Sequence, residues 1–166
     1  MPTRRARIAV PGDPSAVAFA RDRVLTQVRG WGVPLNAEKR EALKLVASEL
    51  ITNAVVHSEG LAMVGLYYDQ DGGRLLLVVH DSNPEPPRRV DAAADDESGR
   101  GLALVAALAA EHHWEPTGRG KKVWAAFEVP APPSPARAAL LRRRLRTLTP
   151  RPYAPGSRLL AVVVGL

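Results

Sequence analysis

The stretch Leu61-Ala-Met-Val-Gly-Leu-Tyr-Tyr-Asp-Gln-Asp-Gly-Gly-Arg-Leu-Leu-Leu-Val-Val-His-Asp81 decides the fold. Two strand-like runs, Leu61–Tyr68 and Arg74–His80, are joined through Asp71-Gly72-Gly73, a hairpin signal. A second pair, His113–Thr117 and Val123–Val129, turns across Gly118 and Gly120. Strands joined this tightly run antiparallel. Upstream, Arg5–Val10 reads as an edge strand. Asp13-Pro14 opens a helix to about Arg29 with Val17, Ala20, Val24 and Val28 on one stripe, and Gly30 and Gly32 end it. Asn36 caps a second helix, Ala37 to His57. Downstream of the first hairpin, Asp81–Ser98 is a polar loop with three prolines and, after Asp81, five acidic residues; a helix Gly101–Glu111 follows. The order is β-α-α-β-β-loop-α-β-β, an α+β layer with helices on one face and not a doubly wound arrangement. Trp31, Trp114 and Trp124 fall in or beside these elements and are read as core.

Composition narrows the function classes. The 166 residues contain no cysteine, which excludes disulfides, thiolate metal sites and a cysteine nucleophile, and accords with a reducing cytoplasm. The longest apolar run, Leu159 to Leu166, is far shorter than the ~20 residues of a membrane helix, so no membrane association is expected. The net charge of +6 is unevenly placed. Residues 1–130 carry 16 Lys and Arg against all 17 Asp and Glu, while 131–166 carry seven arginines and no acid. Seven of the 15 prolines lie between Pro130 and Pro155, which marks a boundary. A body over 1–130 followed by a Pro/Arg-rich extension over 131–166 is the expected organisation. The body has no uniformly basic face, which argues against nucleic acid as its partner.

Three places can carry chemistry. With about 100° per residue, Leu43, Val46, Leu50 and Ala54 form the buried stripe of the second helix. Glu49, Asn53 and His57 then form a polar row drifting towards the core edge. A carboxylate four residues before an amide sets a potential base beside a potential ligand for an oxygen-loving ion such as Mg²⁺; on spacing alone, a solvated helix edge is the commoner explanation. Asp81 ends an apolar strand, where a carboxylate either accepts a ligand amino group or caps the loop backbone. Gly99-Arg100-Gly101 opens a helix whose backbone N–H groups can approach a phosphate, although two glycines are a weak signal.

Taken in order, Glu49-Leu-Ile-Thr-Asn53-Ala-Val-Val-His57, Val78-Val-His-Asp81-Ser-Asn-Pro-Glu-Pro-Pro87, Gly99-Arg-Gly-Leu-Ala-Leu-Val105 and Gly120-Lys-Lys-Val-Trp124 resemble the GHKL (histidine-kinase-like) ATPase family. The similarity is nearest to anti-sigma-factor serine/threonine kinases and their actinobacterial ATP-binding relatives, and covers about residues 5–129. It implies a two-layer α/β sandwich with a mixed, mostly antiparallel sheet, binding ATP and Mg²⁺ under a lid. By resemblance, Glu49 is the catalytic base and Asn53 the Mg²⁺ ligand. Asp81 receives the adenine amino group, residues 82–98 form the lid, and Gly99, Gly101 and Leu102 cradle phosphate. Arg100 either reaches a phosphate or is a solvated helix-start residue. The acidic run Asp95-Asp96-Glu97 implies an open lid without nucleotide.

Two departures from the family pattern stand out. Ser82-Asn83-Pro84 replaces the glycines that often follow the adenine-binding Asp. Lys122 stands where a threonine often helps hold adenine, and either salt-bridges Asp81 or points outward. The resemblance implies a Mg²⁺-dependent serine/threonine protein kinase that regulates transcription by partner switching. It would bind a sigma factor or similar target and phosphorylate a small antagonist protein, with a homodimer possible. The alternative is a catalytically inactive ATP-binding interaction module of the same fold. A nucleic-acid-binding role for the arginine tail is the reading from another class; a helix with Leu141, Leu145 and Leu148 packed on the body is preferred to it.

Overall fold

The computed structural model describes residues 3–58, 60–87, 100–131 and 139. The chain divides into two compact units, Met1–Pro132 and Pro133–Leu166, and all elements below belong to the first. The helix and strand expected in the tail, the lid beyond Pro87 and Gly99 lie outside the described residues. What is described follows the expected order: β1 (Arg4–Val10), α1 (Ala16–Gly30), α2 (Ala37–His57), β2 (Ala62–Asp69), β3 (Arg74–Asp81), α3 (Arg100–Leu108), β4 (Glu111–Thr117) and β5 (Gly120–Glu128).

Several boundaries differ from those expected. The last helix stops at Leu108, short of Glu111, because Ala110 N–H already donates to Ala126 O at 2.9 Å. β5 begins at Gly120, before its apolar run, because the ladder takes in both lysines. Neither lysine advertises a strand by hydrophobicity. At the start of α1, Asp13 O accepts from Ala16 N–H at 2.9 Å and Asp13 Oδ1 from Ser15 N–H at 2.8 Å, and the helix begins at Ala16, two residues after the expected Pro14. Asn36 caps α2 as expected, accepting from Lys39 N–H at 2.8 Å.

The sheet order is β1-β2-β3-β5-β4, and all four pairings are antiparallel. Leu75, Leu77 and Val79 of β3 and Val123, Ala125 and Phe127 of β5 point to the helix-covered face and are buried. The α2 stripe of Leu43, Val46, Leu50 and Ala54 is buried as expected. Ala47, Ile51 and Val55 widen it, because α2 meets α1 and α3 as well as three strands. Two of the tryptophans, Trp31 and Trp114, pack against this core. Trp124 does not: β-alternation puts it on the open face, tilted against His113 with ring centroids 6.1 Å apart.

On that open face His80 stands between Met63 of β2 and Lys122 of β5. Burial, with the charges of Lys122 and Arg7 adding to it, pushes its pKa below the ordinary value. The unfolded chain therefore binds this proton more readily than the folded one, so stability falls as pH drops below about 6.5. His80→Gln should show a smaller loss of urea midpoint between pH 7.5 and 5.5 than the parent.

The β4–β5 turn places a second constraint on sequence. Gly120 has φ +143°, and a Cβ there would strike the backbone of Asp81 and Ser82. Gly118, two residues away in the same turn, has open space around it. Gly120→Ala should cost about 2 kcal/mol or more in urea unfolding, whereas Gly118→Ala should stay within about 0.5.

Candidate functional site

Glu49 and Asn53 lie on successive turns of α2 and are half-buried at the edge of its apolar stripe. Residues spaced by four on a helix have Cβ atoms about 5–6 Å apart. The carboxylate and the amide are thus neighbours. His57 departs from the expected drift: it is exposed at the last position of α2. What its backbone contributes is an acceptor, since His57 O takes a hydrogen bond from Asn83 Nδ2 at 2.8 Å.

The start of α3 meets this row directly. Gly101 is buried, and a Cβ on it would run into the Glu49 carboxylate, with Glu49 Cδ only 3.2 Å from that position. Any other residue at this position would push the Glu49 carboxylate aside. The first N–H groups of a helix have no intrahelical acceptor and carry partial positive charge. The structure therefore brings a carboxylate, an amide and a helix N-terminus together from two segments far apart in sequence. Arg100 is the first residue of α3. Leu102 is half-buried and, with Pro87, His112, Trp114 and Val123, lines a cleft of about 470 Å³; neither Glu49, Asn53 nor Asp81 lines it.

Asp81 is the last residue of β3, and its side chain is 2% exposed. Its cross-strand neighbour is Lys121, itself 6% exposed, and Lys121 Nζ lies 3.0 Å from Asp81 Oδ1. The lysine that engages Asp81 is thus Lys121. Lys122, the residue singled out from the sequence, lies opposite His80 on the other face and pairs with Glu115. That contact holds the Glu115 carboxyl below its usual pKa. Residue alternation along β5 separates the two lysines, so one is buried and the next half-exposed.

Asn83 explains why Ser82-Asn83-Pro84 can stand in place of glycines. Its N–H donates to Asp81 Oδ1 at 2.9 Å, and its carbonyl accepts from Lys121 Nζ at 3.1 Å. Its side-chain oxygen accepts from Glu85 N–H at 2.9 Å, and its amide reaches His57 O on α2. Every polar group of Asn83 is used, and the end of β3 is tied to the end of α2. Lys121 and Asn83 are the two residues of this cluster that sequence reasoning missed. An Asp-x-Asn at a strand end signals an Asx turn, but no local signal reveals Lys121.

Oxygen donors on adjacent helical turns suit Mg²⁺, which binds through one or two protein oxygens and completes its shell with phosphates and water. Asn53 Oδ1 offers such a donor, one turn from the Glu49 carboxylate. Among the described residues no group of three or more His, Asp or Glu stands together to hold a metal. No described helix is long and apolar enough to cross a membrane.

Residues 10–127 match the family model described as histidine kinase-like ATPase domain. Among solved structures, the chain is similar to the RsbU and RsbW domains of Rv1364c from Mycobacterium tuberculosis, with a TM-score of 0.58 and 19% identity. That alignment covers 78% of this chain and 34% of the other, so this chain spans about a third of that protein's length. At this identity the likeness is one of fold. No curated protein sequence matches significantly.

A buried ion pair is sensitive to losing one member, because the remaining charge is left uncompensated. Lys121→Met should destabilise the domain by about 3–5 kcal/mol in chemical denaturation. Adding Asp81→Asn to that variant should recover a large part of the loss. An additive double variant would mean that the two side chains are not energetically coupled.

Proposed function

Because the chain belongs to the histidine kinase-like ATPase family, we propose that it binds ATP with Mg²⁺ and transfers the γ-phosphoryl group to a serine or threonine of a partner protein. The observation that carries this reading is the contact between Gly101 and the Glu49 carboxylate. It sets a candidate base against the helix start where phosphate oxygens can be received. A kinase needs little more from its protein than positioning and charge stabilisation.

In this reading Asn53 Oδ1 holds the metal, which when bound neutralises phosphate charge. Glu49 accepts the proton of the attacking hydroxyl as the new P–O bond forms and the bond to the leaving ADP oxygen breaks. Backbone N–H groups at Gly101 and Leu102 donate to the phosphates, joined by Gly99 and by the guanidinium of Arg100. Asp81 accepts a hydrogen bond from the adenine amino group. The similarity to an RsbW-containing protein supports a partner-switching role. The partners would be a sigma factor or similar target and a small antagonist that is the phosphoryl acceptor, with the kinase acting in the cytoplasm as a possible homodimer. The Pro/Arg-rich extension is then a separate segment following the ATP-binding body.

Calorimetric titration of ATP with Mg²⁺ tests the site first. Wild type should bind saturably, and Asn53→Ala should weaken binding at least tenfold. Glu49→Gln should keep ATP affinity within about threefold while slow release of phosphate from ATP falls about a hundredfold or more, the usual range for a general base. Equal phosphate release from Glu49→Gln and wild type would leave ATP as a conformational ligand only, the reading of an inactive interaction module.

A further inference from the structure

The Asp81–Lys121 pair is not fully used by the protein. A lysine ammonium has three N–H donors. Two of them go to Asp81 Oδ1 and Asn83 O; the third has no acceptor among the described residues. Both hydrogen bonds to the carboxylate, from Asn83 N–H and from Lys121, fall on Oδ1. Asp81 Oδ2 accepts none among the described residues. Among those residues no fully buried side-chain oxygen or nitrogen lacks a partner, so Oδ2 keeps a small exposed area, although the Asp81 side chain as a whole is only 2% exposed. Side by side at the end of β3 and β5 stand one vacant acceptor and one vacant donor.

An edge that offers a hydrogen-bond donor next to an acceptor fits this pair. The amidine edge of a 6-aminopurine has that form, with the exocyclic amino group as donor and N1 as acceptor. We propose that Lys121 is a specificity-determining residue of the nucleotide site, donating its third N–H to N1 of adenine while Asp81 Oδ2 accepts from the amino group. This inference rests on the ATP-binding reading above and adds a second base contact to it. The ion pair then has two roles. It compensates the buried carboxylate, and it turns a single acceptor into a two-point reader. Asn83 is a positioning residue here, because its carbonyl fixes the ammonium and its N–H fixes the carboxylate.

The test removes one atom from the ligand. In 1-deaza-ATP a C–H replaces N1 and the amino group remains. Calorimetry on the full chain should give binding of 1-deaza-ATP about ten- to a hundredfold weaker than ATP, the size of a hydrogen bond to a charged group. In folded Lys121→Leu or Lys121→Met, neither of which carries a donor, the preference for ATP over 1-deaza-ATP should fall below about threefold. The wild-type comparison needs no variant, so it decides even if both substitutions unfold the domain. Equal affinity of wild type for the two nucleotides overturns the role of Lys121 and leaves ATP binding intact. A preference that survives in the folded variants also overturns it, because another group then reads N1. Failure of the folded wild type to bind either nucleotide overturns the ATP-binding reading and this inference with it.

Discussion

β5 enters the sheet between β3 and β4, and the register it takes against β3 governs the open end of the helix-covered face. That register pairs Asp81 with Lys121 and His80 with Lys122. A slip of one residue would exchange the faces of both lysines and of every apolar residue of β5. Val123, Ala125 and Phe127 would leave the core, so hydrophobic burial fixes the register and the charged pair follows from it. The ion pair is a consequence of packing more than its cause.

Against that frame the polar cluster is built almost wholly from one side chain and its backbone. Asn83 binds Asp81, Lys121, Glu85 and the end of α2. A carboxylate and an ammonium removed from water each carry a desolvation cost, which their attraction offsets only when the remaining hydrogen-bonding groups are satisfied. Asn83 satisfies one on each partner. The asparagine is also stiffer than the glycines common at this position in the family, so the first residues after β3 are held before any ligand arrives.

The second half of the site is assembled by helix packing. α3 approaches α2 closely because Gly101 has no side chain, and Glu49 fills the space that a Cβ would take. A carboxylate, an amide and the first turn of a helix converge without any of them belonging to a loop. Sites carried on helices hold their geometry better than sites on loops. Changes at Gly101 would therefore be felt by Glu49 before they were felt by the fold.

Much of the fold was legible in the sequence. Strand-like apolar runs, two glycine turns and the Asn36 cap gave the order of the elements, because these signals act between residues near in sequence. The pairing of Glu49 with Asn53 was legible for the same reason, four residues along one helix. What only the tertiary structure decided lies between segments that are far apart along the chain. The contact of Gly101 with Glu49 spans two helices, and the choice of Lys121 over Lys122 depends on the pairing of β3 with β5, strands separated by a helix and another strand. Both lysines are equally polar and equally placed after Gly120, so local pattern cannot tell them apart. The difference between them is the face of a strand, and that is set by the core it has to cover.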